Sequence, residues 1–161
     1  MNGDMINILF AEELIKEFTP ELIVVNMQDV DVCHTDFTSY CDNLRRADYA
    51  LGHLWNTIQS TPGMANDTIL IAAPEHGRNL ETNTVVDVNG RFAIDHTNTP
   101  TAREIFCLVA GPQGVVNQNQ VISQVSGESI DIVPTIANIL GFDAEIPGGM
   151  LPGRVLNEAF V

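Results

Sequence analysis

The sequence predicts a layered α/β fold, and three observations carry that expectation. Short β-branched apolar runs alternate along the chain with longer amphipathic segments, as in layer architectures rather than bundles or sandwiches. The loops that follow the apolar runs gather the acidic and histidine side chains, as happens at the carboxyl ends of strands in open α/β sheets. The 161 residues, 45% hydrophobic and 17% charged, suit one compact domain able to bury about 70% of its unfolded surface.

The elements follow in order. Residues 8–18 place Leu9, Leu14, Ile15 and Phe18 at helical spacing, and Pro20 stops that helix. Residues 21–27 are apolar and β-branched between breakers, which predicts a buried parallel strand. Residues 37–58 repeat Tyr40, Leu44, Leu51, Leu54 and Ile58 at spacings of three, four and seven, a surface helix with Arg45, Arg46 and Asp48 on its wet side. A turn over residues 62–64 leads to a second strand at 68–73. Residues 74–100 lose periodicity and form a long loop, interrupted by a hairpin at Asn89-Gly90. Residues 104–110 make a third strand. Ser129 or Asp131 caps a helix that tolerates Pro134 in its first turn and ends at Gly141, before a turn-rich tail.

Charge and composition exclude several classes. Seven Lys and Arg against 21 Asp and Glu give a formal net charge of -14, which repels nucleic-acid phosphates and anionic lipid alike. The longest apolar runs fall far short of the roughly 20 residues that a membrane-spanning helix needs. Asp4, Glu12 and Glu13 stand where a secretory signal would carry basic residues, so no targeting peptide is visible and no compartment is indicated. Cys33, Cys41 and Cys107 are odd in number and widely spaced, predicting three buried or half-buried thiols rather than disulfides or a thiolate zinc site.

The chemistry concentrates in QDVDVCHTD, with Asp29, Asp31 and His34; in PEHGRN, with Glu75, His76 and a Gly77 that lets the backbone turn; and in DHTNT, with Asp95 and His96. Neutral imidazole and carboxylate oxygen suit zinc or manganese, and separate loops can gather them around one ion. A single His beside an Asp is commonly a surface hydrogen bond; three such pairs at strand ends point to a metal centre. His53, in the middle of the long helix, reads as structural. Thr35, Thr97 and Thr99 read as residues that cap and tie loops.

In this order, Asp-x-x-His, an acidic-His-Gly triplet and a later His resemble the metal ligands of the alkaline phosphatase superfamily, which includes sulfatases, nucleotide pyrophosphatases, cofactor-independent phosphoglycerate mutases and phosphopentomutases. VNMQDVDVCH and DHT are similar to phosphopentomutase segments, and DIVPTIANILGF is similar to a sulfatase helix, so the resemblance covers roughly residues 21–152. It implies a three-layer αβα fold with a mainly parallel sheet, and two divalent ions, zinc first, with manganese or magnesium as alternatives. It assigns Asp31 or Asp29, His34 and His96 to one ion, Glu75 and His76 to the other, and Arg78 to a substrate anion. Two departures stand out: the spacing of the first Asp from its His leaves Asp29 and Asp31 both open, and Glu75 replaces the usual Asp.

The resemblance also calls for an N-terminal strand with an Asp ligand and a Ser, Thr or formylglycine nucleophile. Residues 1–10 offer none, and Asp4 alone does not replace it. The 161 residues therefore read as one domain, the C-terminal portion of a larger phosphate or sulfate ester hydrolase or transferase. Its partners would be a small anionic ester and the missing N-terminal half, and isolated activity would be low or absent. Two alternatives stand beside this: a non-catalytic metal-binding or scaffolding domain of the same fold, and a flavodoxin-like receiver domain holding magnesium through acids alone.

Overall fold

The computed structural model describes residues 3–124, 126–148 and 150–161. In chain order the elements are α1 (Gly3–Phe18), α2 (Phe37–Ser60), β1 (Leu70–Ala72), α3 (Pro100–Arg103), β2 (Leu108–Ala110) and α4 (Ile132–Ile139), with 3-10 turns at Ser129–Asp131, Asp143–Glu145 and Asn157–Ala159. The only sheet among the described residues is the antiparallel pair β1–β2, with Leu70 opposite Ala110 and Ala72 opposite Leu108.

This overturns the expected three-layer αβα arrangement with a parallel sheet. Parallel strands need a crossover long enough to lay a helix across the sheet. Between β1 and β2 the only helix is α3, four residues long. The run at residues 21–27 is extended, and its side chains alternate as in a strand, with Leu22 and Val24 exposed. Among the described residues it makes no backbone-to-backbone hydrogen bond, so it joins no ladder. Hydrophobic period identifies an extended segment; it carries no information on whether a partner strand exists.

The chain divides into two compact units, Met1–Ala65 with Pro74–Phe106, and Asn66–Ala73 with Cys107–Val161. In the first, α1 packs on α2 through Ile8, Ala11 and Ile15 against a helix that buries Ala50, Leu54 and Ile58. Each such aliphatic side chain contributes about 1.5–3 kcal/mol on leaving water, alanine less. The helix starts five residues earlier than its apolar spacing indicated, and its buried face differs. Leu9, Leu14 and Phe18 are exposed, and Ile6, Phe10, Leu14 and Phe18 form a four-residue-spaced row on the open side. Apolar residues lie nearly all round α1, so spacing alone does not choose the face; polar clasps do. Glu12 is buried, with His53 Nδ1 2.5 Å from its Oε1, tying α1 to α2 in keeping with a structural His53.

Helix α2 begins where Asp36 accepts a hydrogen bond from the Ser39 amide at 2.8 Å, and it keeps Arg45, Arg46 and Asp48 in solvent as its amphipathic pattern requires. The hairpin forms at Asn89-Gly90: Val86 bridges Phe92, and Gly90 takes φ +78°, a conformation that favours glycine.

In the second unit, α4 carries Pro134 in its first turn and is followed by Gly141 at φ +77°. Its anchor is Thr135, fully buried, whose hydroxyl donates to the Asp131 carbonyl at 2.7 Å and accepts from the Leu156 amide at 2.9 Å. Cys33 is buried and Cys41 half-buried, whereas Cys107 is exposed; none is in a disulfide. No helix among the described residues is long and apolar enough to cross a membrane.

Candidate metal centre

Three loops of the first unit build the site. The first, residues 28–34, is a tight turn in which the Asp31 amide donates to the Gln28 carbonyl at 3.0 Å. It is clasped to the start of α1. Asp4, buried, accepts from the Gln28 amide at 2.7 Å and the Asp29 amide at 3.1 Å, and the Asp4 amide donates to Asp29 Oδ2 at 3.0 Å. From α2, the Asn43 amide group donates to the Asp29 carbonyl at 2.6 Å. Asp29 Oδ2 thereby serves the start of α1, and Asp31 at the tip of the turn is left half-exposed.

The second loop carries His76. Its neighbour Gly77 donates its amide to the Ala102 carbonyl at 2.8 Å, and a Cβ at that position would stand 2.4 Å from the Thr101 carbonyl oxygen and 2.6 Å from that of Glu104. Glycine is required here because the loop passes against α3. The third loop carries Asp95 and His96. It is joined to the second by the Asn79 amide donating to the Asp95 carbonyl at 2.9 Å, and by Asn79 Oδ1, which accepts from the Thr97 amide and the Thr99 hydroxyl. Thr99 also caps α3. Thr97 and Thr99 thus tie loops, as their setting suggested.

Together the loops bring three imidazoles to one carboxylate oxygen. His76 Nε2 lies 3.2 Å from Asp31 Oδ1, His96 Nε2 3.4 Å and His34 Nε2 3.7 Å. The His76 and His96 rings stack at 3.9 Å between centroids, and the His34 and His96 rings sit 4.8 Å apart. Two of the rings have their tautomer fixed by an acceptor that cannot donate. His76 Nδ1 donates to the Gly77 carbonyl at 2.8 Å, and His34 Nδ1 to Asp95 Oδ1 at 2.7 Å. A neutral imidazole that donates from Nδ1 offers a lone pair at Nε2, the form in which it ligates a metal. The same Asp31 oxygen also lies 3.7 Å from Arg78 Nη2, so it gathers three imidazole nitrogens and one guanidinium.

Asp95 Oδ1 also accepts the His96 amide at 2.8 Å, so one carboxylate holds the His34 ring and the His96 backbone. The bond from His34, followed by that from the His96 amide, holds its carboxyl below the ordinary aspartate range. This carboxylate–histidine pairing is the arrangement that orients metal ligands in proteins.

The donors form two groups close enough to share an ion: Asp31, His76 and His96, and His34, Asp95 and His96. Of the residues read from the sequence, Asp31, His34, His76 and His96 converge. Asp29 serves the α1 clasp, and Glu75 is exposed and lies in neither group. Arg78 is engaged with backbone carbonyls: Nη2 donates to those of Val30 at 2.9 Å and Asp31 at 2.8 Å, and Nη1 to that of Ile94 at 3.3 Å. Sequence reasoning placed Asp95 beside His96 without its role toward His34, and gave no signal for Asp4 or Asn43, whose contacts to the turn span 24 and 14 residues.

Comparison of the chain with protein-family models, with curated proteins and with solved structures finds no match. The functional reading therefore rests on the geometry of these loops and on the order of their motifs.

Proposed function

We propose that Asp31, His76 and His96, with His34 as a fourth donor, hold a divalent cation, zinc first and manganese or magnesium as alternatives. We further propose that this centre is the metal-binding part of a phosphate or sulfate ester hydrolase or transferase. The observation that carries the reading is the convergence of three Nε2 atoms on Asp31 Oδ1, two of them with their other nitrogen already committed as a donor. The donor set fits the group: Asp31, His76 and His96 supply the two imidazoles and one carboxylate that zinc takes in hydrolytic sites, leaving the fourth position to water, substrate or His34. Half-exposure of Asp31 leaves that position accessible to solvent and to a small anionic ester.

When bound, such an ion polarises a phosphoryl or sulfuryl oxygen and neutralises charge on the transferred group. The chain's own residues then orient and hold. Asp95 and the Gly77 carbonyl fix the ring tautomers, the α1 clasp positions the Asp31 turn, and α3 presses the Gly77 backbone into place. The ester chemistry is supported by the order of the motifs, which resembles that of the alkaline phosphatase superfamily. Among the described residues the two donor groups both draw on His96, so the second ion that the resemblance implies would share it.

In this reading the nucleophile comes from a partner segment, the N-terminal half of the same protein. The exposed row Ile6, Phe10, Leu14 and Phe18, with the run at residues 21–27 that joins no ladder among the described residues, supports a covering partner, because contiguous apolar surface marks interaction sites. Hydrolysis of p-nitrophenyl phosphate and p-nitrophenyl sulfate, with and without added zinc, by these 161 residues and by a longer chain carrying the upstream sequence, tests the proposal. Zinc-dependent turnover confined to the longer chain is expected. Equal turnover after chelation, or after His76→Ala, would contradict it.

A further inference from the structure

Arg78 is only 10% exposed, unlike the other cations of the first unit near the site, and its guanidinium spans two ligand-bearing loops while its own backbone belongs to the third. Nη2 uses both hydrogens, on the carbonyls of Val30 and Asp31, and Nη1 reaches the Ile94 carbonyl two residues before His96. Its Cζ lies over the Tyr40 ring of α2, 5.1 Å from the centroid, a cation–π contact. Arg78 stands two residues after His76, so a single side chain ties the loops of His76, Asp31 and His96 at fixed spacing. We propose that Arg78 is a positioning residue that holds Asp31 and His96 at ligand distance, rather than a contact for the substrate anion.

The proposal rests on the reading that Asp31, His76 and His96 bind an ion. A guanidinium presents its donors in a rigid fork, whereas a lysine ammonium is a point donor that cannot satisfy three carbonyls in one plane. The carbonyls are the right partners for such a role: they are backbone atoms of the ligand residue or of its close neighbours, so moving them moves the ligands. An anion approaching Arg78 would have to displace bonds of 2.8 and 2.9 Å that already use the Nη2 hydrogens.

The test uses the full chain with Arg78→Lys and Arg78→Met. Zinc affinity is measured by competition with a chromophoric chelator, the coordination signature by visible absorption of the cobalt-loaded protein, and metal-free stability by urea unfolding. We expect both variants to bind zinc about 10–100-fold more weakly. Their cobalt bands should shift, and Arg78→Lys should recover only part of the loss. Should Arg78→Met fail to fold, Arg78→Lys carries the measurement. Wild-type zinc affinity and an unchanged cobalt spectrum in a variant whose urea midpoint falls would overturn the proposal and leave Arg78 as a structural brace. A wild-type chain that binds no zinc would overturn the metal centre itself, and the positioning role with it.

Discussion

At the scale of single residues, the two aspartates of the 28–34 turn perform different work although two positions separate them. Asp29 closes the start of α1 through the Asp4 amide, and Asp31 faces three histidines. Replacing each by Ala should separate the roles. Asp31→Ala is expected to abolish zinc binding while leaving the urea midpoint near wild type. Asp29→Ala should cost about 1 kcal/mol of stability, the usual worth of a helix-start acceptor, while the folded fraction still binds zinc. Glu75→Ala is expected to change neither, because Glu75 is exposed and outside both donor groups. Calorimetric zinc titration beside urea unfolding reads all three, and loss of binding in Glu75→Ala would restore the ligand set that the motif order implies. The residue types and their loops were legible in the sequence. The choice between Asp29 and Asp31 was not, because it depends on Asp4, which meets the turn only once α1 has packed.

At the scale of elements, both long helices announced themselves by period, and α4 by its proline and glycine punctuation. The sheet did not follow from its apolar runs. Residues 21–27, 68–73 and 104–110 carry β-branched or apolar composition, yet only three residues of each of the last two form a ladder, and they pair antiparallel. Strand pairing is a non-local property, and composition reports only local fitness for extended structure. Asp131, expected to cap α4, makes no cap bond to it and accepts instead from the Glu128 and Arg154 amides, whereas an unread cap stands on α2. Asp36 caps α2, and its replacement by Ala should lower stability by about 1 kcal/mol, seen as a fall in urea midpoint with an unchanged slope. An unchanged midpoint would show that the first turn of α2 is held by the hairpin alone, through the Thr38 amide and hydroxyl bonds to Asp87 Oδ2.

At the scale of the whole molecule, an acidic chain with net charge -14 holds several carboxylates in their charged form by hydrogen bonds. The Arg91 amide and the Thr38 hydroxyl bring Asp87 down to about 2, and the two-pronged contact from Arg154, at 2.9 and 2.6 Å, brings Glu158 down to about 2. A lowered folded-state pKa means that the unfolded chain binds the proton first on acidification. The stabilisation is therefore complete above the ordinary carboxylate range and is lost as pH falls from about 4 toward 2. Melting temperature should drop across that window, and less so in Asp87→Asn; a flat profile would contradict the assignment. The most direct test of the central claim is isothermal titration of zinc into the metal-free chain, repeated with His96→Ala. One ion per chain, and loss of that binding in the variant, is the predicted result, since His96 belongs to both donor groups; no binding, or binding that survives His96→Ala, would contradict the metal centre.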